Sequence, residues 1–161
     1  MSNRIRSTIY IFSLIIVIIT GFAAYSNSFN NEFIFDDRNT IIENPFIRKL
    51  DITQIWNMSQ GRFIGFLSFA LNFHFHKFEV SGFHITNLSI HILNAMLVAW
   101  LVLQLLSLPI FKDDRLFQNR YIFSFLAALL FVSHPVQMQS ITYIVQRFTS
   151  LSALFYLLSL N

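Results

Sequence analysis

Long apolar runs separated by short polar breaks dominate this chain, and their lengths set the expected architecture. The first, Thr8 to Tyr25, is rich in isoleucine and long enough as a helix, at about 1.5 Å per residue, to cross most of a bilayer core. The second runs from His84 to Leu108, where Pro109 and Lys112-Asp113-Asp114-Arg115 stop it. In the third, the continuous apolar part, Tyr121 to Ser133, is short for a span. Its helix is therefore expected to begin near Phe117, with Arg120 snorkelling to the headgroups, and to end at His134-Pro135. A mixed segment, Val136 to Arg147, precedes a fourth apolar run, 148–161, which is too short to cross a membrane upright. The pattern predicts an all-α polytopic membrane protein with about four transmembrane helices, at 8–25, 84–108, 117–134 and 148–161, the last incomplete. A long loop, 26–83, joins the first two, and the chain reads as the amino-terminal part of a larger membrane domain.

Inside that loop, Arg62 to His76 is apolar nearly all round, with Gly65, Ser68, Asn72 and His76 on one narrow stripe at helical spacing. Such a helix is expected to lie along the interface. Composition agrees with a lipid setting: hydrophobic residues make up 55% and charged residues 12% of the 161, against about a quarter charged in ordinary soluble domains. The net charge of +3 is spread without a basic block, so nucleic acid is not an expected partner. With no cysteine, disulfides and thiolate metal sites are excluded.

Arg4 and Arg6 before the first run, and Lys112, Arg115 and Arg120 between the second and third, belong on the cytoplasmic side. The loop 26–83 and the segment His134 to Arg147 then face outward. Gly21-Phe22-Ala23 would also serve as a signal cleavage site, but the spans downstream favour a retained first helix.

Asp36 and Asp37 follow the first span closely, flanked by Phe33-Ile34-Phe35. A carboxylate so placed can have its pKa raised by desolvation and by its neighbour, and can act as a general base. Alternatively, the pair caps a helix starting near Asn39 or Thr40. In the second span His84, Asn87, His91 and Asn94 recur at i, i+3, i+7 and i+10, on one helical face. Polar side chains there either line a cavity or bond a neighbouring helix. Arg147, at an outer helix end, can hold a phosphate bidentately or simply anchor the helix. Asp36, Asp37, Arg62, His84, His134 and Arg147 are expected to converge on one membrane face. His74-x-His76 is a weak metal signal without a carboxylate at ligand spacing, and Asn57-Met58-Ser59 has the form of a glycosylation sequon.

The order of these features resembles a known family. Asn31-Glu32-Phe33-Ile34-Phe35-Asp36-Asp37, then Ile41-Ile42-Glu43-Asn44-Pro45, Arg62 before an apolar helix, and Phe83-His84-Ile85-Thr86-Asn87 with His91 look like the membrane part of transmembrane O-mannosyltransferases with tetratricopeptide repeats. The stretch Ala127 to Gln137, continuing to Tyr143-Ile144-Val145-Gln146-Arg147, is similar to their bacterial relatives. This resemblance implies a GT-C fold whose first outer loop carries the active site. It implies Asp36 or Asp37 as the base that activates an acceptor hydroxyl, and a polyprenyl- or dolichyl-phosphate sugar as donor. Membrane lipid and an acceptor protein or glycan would be its partners, no cofactor is implied, and the bacterial likeness implies an inner membrane. Arg62, His84, Asn87, His91, His134 and Arg147 would shape the substrate site. Gln139 stands where some relatives have Glu, so an acidic role does not transfer there. Two alternatives are a non-catalytic membrane fragment and a haem protein using His91 and His134.

Overall fold

The computed structural model describes residues 3–161, with side chains from Tyr10 onward, so Arg4, Arg6 and Thr8 lie outside the described side chains. Among the described residues every regular element is helical. In chain order they are α1 (Asn3–Tyr25), α2 (Ile52–Met58), α3 (Phe63–His76), α4 (Val80–Leu106), α5 (Arg115–Gln118), α6 (Arg120–Ser133), α7 (Met138–Thr142) and α8 (Arg147–Leu160). Short 3-10 or π turns join several of them.

Two segments, Tyr10–Ser28 and Val80–Leu106, are long and apolar enough to cross a bilayer. A third span results if Arg120–Ser133 and Pro135–Thr142, bent by 50° at the break, are taken together. The remaining apolar helix, Ile144–Leu160, is shorter than a span. Large apolar side chains point away from the protein along these helices, among them Ile11, Phe12, Ile19, Leu93, Ile122 and Leu130. Their hydration would cost about 25 cal/mol per Å², whereas in lipid they are at home. The chain is read as an integral membrane protein.

Sequence and structure differ on two helix starts. Residues 80–83 already belong to α4, which begins before His84. α6 starts at Arg120 rather than Phe117, because Asn119 leaves helical geometry and its Nδ2 donates to the Arg115 carbonyl, closing α5 as a separate short turn. Arg120 lies over the rings of Phe117 and Tyr121 and donates to the Phe117 carbonyl.

Packing produces two cores. In the first, α4 lies mainly against α6 and α8, and α1 against α6 and α4. Val17, Leu88, Ile92, Ala95, Ala99, Ala128 and Val132 are buried there. Small residues let the helices approach closely, as lipid-embedded packing requires. A Cβ on Gly21 would sit 3.1 Å from both Ile92 Cγ1 and Val132 Cγ2, and Ser124 Oγ donates across to the Ala99 carbonyl.

The second core gathers the segment between α1 and α4: Ile41, Ile47 and Ile55 close over Phe69, Ala70 and Phe83, with Ile144 beneath. Asn44 and Asp51 cap the turn Pro45–Arg48 and α2, accepting from Phe46 N and Gln54 N. Of the α3 stripe, Gly65 and Asn72 are buried and Ser68 half-buried, while His76 is exposed at the helix end; Ile64, Leu71 and Phe75 are exposed. A polar stripe turned toward protein and an apolar face turned outward is the arrangement expected of a helix bathed in lipid.

Candidate active site

The loop 29–37 crosses the ends of α4 and α7, and its last residues set the site. Phe35 sits at φ 46, a left-handed conformation unusual for an aromatic residue, and its side chain is 83% exposed. That turn sends the two neighbouring carboxylates in different directions. Asp37 is fully buried; its Oδ2 accepts from Ile34 N at 3.1 Å and its Oδ1 from Val145 N at 2.7 Å. Desolvation pushes its pKa above the ordinary aspartate value, against the opposing pull of those N–H groups and of His84. Asp36, by contrast, is exposed and lines a pocket of about 440 Å³ together with Asn39, Thr40, Arg62, Gln146 and Thr149.

A second, more apolar groove of about 610 Å³ adjoins that pocket, lined by Trp56, Phe63, Ile64, Leu151 and Phe155 among others. Arg62, Phe148 and Thr149 line both, so the two adjoin in one depression, the one more polar and the other more apolar. The Phe148 ring divides them. It is pressed on Gly65 so closely that a Cβ there would lie 2.2 Å from it, and the Arg62 guanidinium covers it at 5.3 Å.

Arg147 lies beneath this depression, fully buried. Its Nε donates to Asn87 Oδ1 at 2.6 Å and one terminal nitrogen to Phe83 O at 3.0 Å. The other terminal nitrogen reaches Asn72 Oδ1 at 2.5 Å and the Ser68 carbonyl and hydroxyl at 3.3 Å. Phe69 and Phe83 stack beside the guanidinium. No carboxylate is bonded to it, and among the described residues the one ion pair, Arg38–Glu43, is at the surface. As folded, then, Arg147 presents its donors to protein acceptors rather than to open space.

The polar stripe of α4 is buried throughout, and each member bonds main chain from another segment. His84 Nε2 donates to Asn31 O at 3.1 Å, Asn87 Nδ2 to Ile144 O at 3.2 Å, His91 Nε2 to Val132 O at 3.2 Å and Asn94 Nδ2 to Ser150 O at 3.0 Å. Of these carbonyls, Val132 lies in the last turn of α6, where helical partners run out, Asn31 and Ile144 lie in the loop and in the turn before α8, and Ser150 lies in the first turn of α8. His91 is also held between the rings of Tyr25 and Phe131. His84 Nδ1 is buried without a partner.

His134 stands apart from the Asp36 pocket. It is exposed, and its Nδ1 accepts from Val136 N, capping the turn that starts at Pro135. The expected convergence thus resolves into three places: Asp36 and Arg62 at the open pocket, Asp37, His84, Asn87 and Arg147 in the protein beneath, and His134 outside both. Among the described residues no group of three or more His, Asp or Glu could hold a metal ion.

Several contributors were not singled out from sequence. Asn39, Thr40, Gln146 and Thr149 line the pocket as ordinary polar residues, with no spacing that marks them. Tyr143 offers its phenol oxygen to the N–H of Asp36, a contact between residues 107 apart.

No protein-family model matches the chain, and no solved structure matches it. Curated proteins do. It is 26% identical to a protein O-mannosyl-transferase of Caenorhabditis elegans, over 92% of this chain and 22% of that protein. It is 27% identical to protein O-mannosyl-transferase TMTC4 of Homo sapiens, over 84% of this chain and 20% of that protein. Protein O-mannosyl-transferase TMTC1 of Mus musculus is 27% identical over 84% of this chain and 15% of its own length. The chain therefore spans about a fifth of the length of the curated relatives it matches.

Proposed function

We propose that this chain forms the catalytic-loop part of a GT-C membrane glycosyltransferase that moves a sugar from a polyprenyl-phosphate donor to a hydroxyl, on the side chain of a protein Ser or Thr. Similarity to protein O-mannosyl-transferases across most of the chain supports the reaction class. The observation that carries the reading is the pair of adjoining pockets, one holding an exposed carboxylate and an exposed guanidinium, Asp36 and Arg62, and the other an aromatic groove that Arg62 also lines. A phosphate on an isoprenoid tail has the same two-ended chemistry.

In this reading Asp36 is the base. It takes the proton of the acceptor hydroxyl while that oxygen attacks the anomeric carbon; the carbon–oxygen bond to phosphate breaks, the configuration inverts, and the lipid phosphate leaves with the electron pair. Arg62 holds the departing phosphate, the role for which a planar guanidinium is suited. His84, Asn87, His91 and Arg147 support the floor from within the protein, and Asp37 fixes the loop. His134 contributes at the break between α6 and α7. In the membrane α1, α4 and α6 with α7 provide three spans and α8 the start of a fourth, the amino terminus is cytoplasmic, and the loop 26–83 faces the periplasm of a bacterial inner membrane. The remaining helices and acceptor-recognising repeats would come from a longer protein.

The test uses the full-length protein in lipid nanodiscs with a labelled polyprenyl-phosphate sugar and a hydroxyl-bearing acceptor peptide. Asp36→Asn is expected to lower kcat by about 10²- to 10⁴-fold, the range for a lost general base. Unchanged transfer would remove Asp36 from the chemistry.

A further inference from the structure

Phe148 reads, in sequence, as one more ring in an apolar run, yet it lies under the Arg62 guanidinium at the place where the two pockets meet. The central carbon of that guanidinium stands 5.3 Å from the ring centroid, within the distance at which the negative face of an aromatic ring holds a cation. No carboxylate pairs with Arg62 among the described residues, where the one ion pair is Arg38–Glu43. The ring is thus its anchor. An attraction to a ring face leaves the five N–H donors of a guanidinium free to meet the oxygens of a phosphate.

The ring is fixed far more firmly than the arginine it carries. Phe148 directly follows Arg147 at the start of α8, where the Arg147 side chain is tied to Asn87 and the Phe83 carbonyl. Phe66 meets the ring edge-on with centroids 5.2 Å apart, and Phe69 meets it at right angles at 5.5 Å. Gly65 makes room for it, since a Cβ there would overlap two of its carbons. Arg62, by contrast, is exposed and stands at the end of the short turn Gln60–Arg62, just before α3. A long side chain so placed samples many rotamers unless something holds it.

We infer, resting on the transferase reading, that Phe148 is a positioning residue for Arg62: seated in the gap that Gly65 leaves, its ring face holds the guanidinium at the junction of the two pockets and leaves the N–H groups for the donor phosphate. Phe148 makes and breaks no bond in the transfer; its effect passes through Arg62. The ring also borders the apolar groove, so its loss would remove contact with a lipid tail whether or not it holds Arg62. A mutant cycle separates the two contributions, because only the first depends on Arg62.

The experiment again uses full-length protein in nanodiscs, titrated with the labelled polyprenyl-phosphate sugar. Replacing Phe148 by phenylalanines that carry one, two and three ring fluorines withdraws negative charge from the ring face and nearly keeps its shape. Donor KM is expected to rise stepwise along that series, to roughly two- to fivefold at its end, with kcat within about twofold. In an Arg62→Ala background the same series should leave donor KM flat, a dependence that a purely packing role would not produce. Phe148→Leu should likewise raise donor KM by more in the wild-type protein than in Arg62→Ala. A flat fluorine series in the wild-type protein, alongside a raised donor KM in Arg62→Ala, would overturn the positioning role and leave the transferase reading standing. Equal rises with and without Arg62 would also overturn it and assign the ring to the tail alone. No transfer by the wild-type protein, or an unchanged donor KM in Arg62→Ala, would defeat the donor site itself and this role with it. Should Phe148→Leu fail to fold, the fluorine series decides.

Discussion

An aspartate and an arginine lie on either side of the floor of the same depression, and the two sets of groups are treated in opposite ways. Below it, Asp37 and Arg147 are fully buried, and their hydrogen-bonding capacity goes to main-chain N–H groups, carbonyls and amides. Above it, Asp36 and Arg62 are exposed and line open space. Identical chemistry thus serves two ends. A charge whose bonds are all made inside the protein fixes geometry, whereas one that lines open space can meet a ligand.

The sharpest way to break this contrast is to remove the buried cation. Arg147→Leu would orphan acceptors on Asn72, Asn87, Ser68 and the Phe83 carbonyl, and a cost of about 3–5 kcal/mol is expected for such a loss. It should appear as a large fall in thermal or denaturant midpoint in nanodiscs, with transfer lost only because the fold is lost. A stable Arg147→Leu protein lacking activity would instead move Arg147 from the floor to the site.

Asp37→Asn is expected to cost less, about 1–3 kcal/mol, since one of two N–H donors would then face an amide N–H₂. Its pH dependence sharpens the point. Because the folded pKa of Asp37 is raised above 3.8, folding favours its proton. That contribution is complete below the unfolded value and is lost as pH rises through the raised one. Melting midpoints of the native protein should therefore decline as pH rises above the ordinary aspartate value, and the decline should vanish in Asp37→Asn.

The open pair predicts the smallest effect on stability and a selective one on binding. Arg62→Ala should leave the melting midpoint nearly unchanged and raise donor KM roughly tenfold, as for loss of one charged hydrogen bond to phosphate. Equal KM values in titrations with the labelled lipid would take Arg62 out of the donor site.

How much of this the chain discloses varies with the physics involved. The α4 stripe is legible because one turn of helix every 3.6 residues brings His84, Asn87, His91 and Asn94 to a single face, and all four are indeed buried. Their partners are not legible, since they are main-chain carbonyls of other segments, such as those of Val132 and Ser150, and such groups leave no trace in side-chain pattern. Asp36 and Asp37 are equivalent as letters; the left-handed turn at Phe35 and the distant Val145 N–H make them different. Arg147 reads as a phosphate holder or an interfacial anchor, because the acceptors that bury it come from α3 and α4, far away in sequence. The start of α6 was obscured by a polar side chain, Asn119, closing the preceding turn on itself.

The buried guanidinium also has a bearing on how the protein is made. A cation bonded only to neutral groups cannot enter hydrocarbon ahead of those groups. Since α3 and α4 leave the ribosome before α8, the cradle of amide and carbonyl oxygens can stand assembled when Arg147 arrives. Synthesis from amino to carboxy terminus then runs in the same sense as insertion, and a permuted gene that delivered α8 first would strand its arginine at the membrane surface.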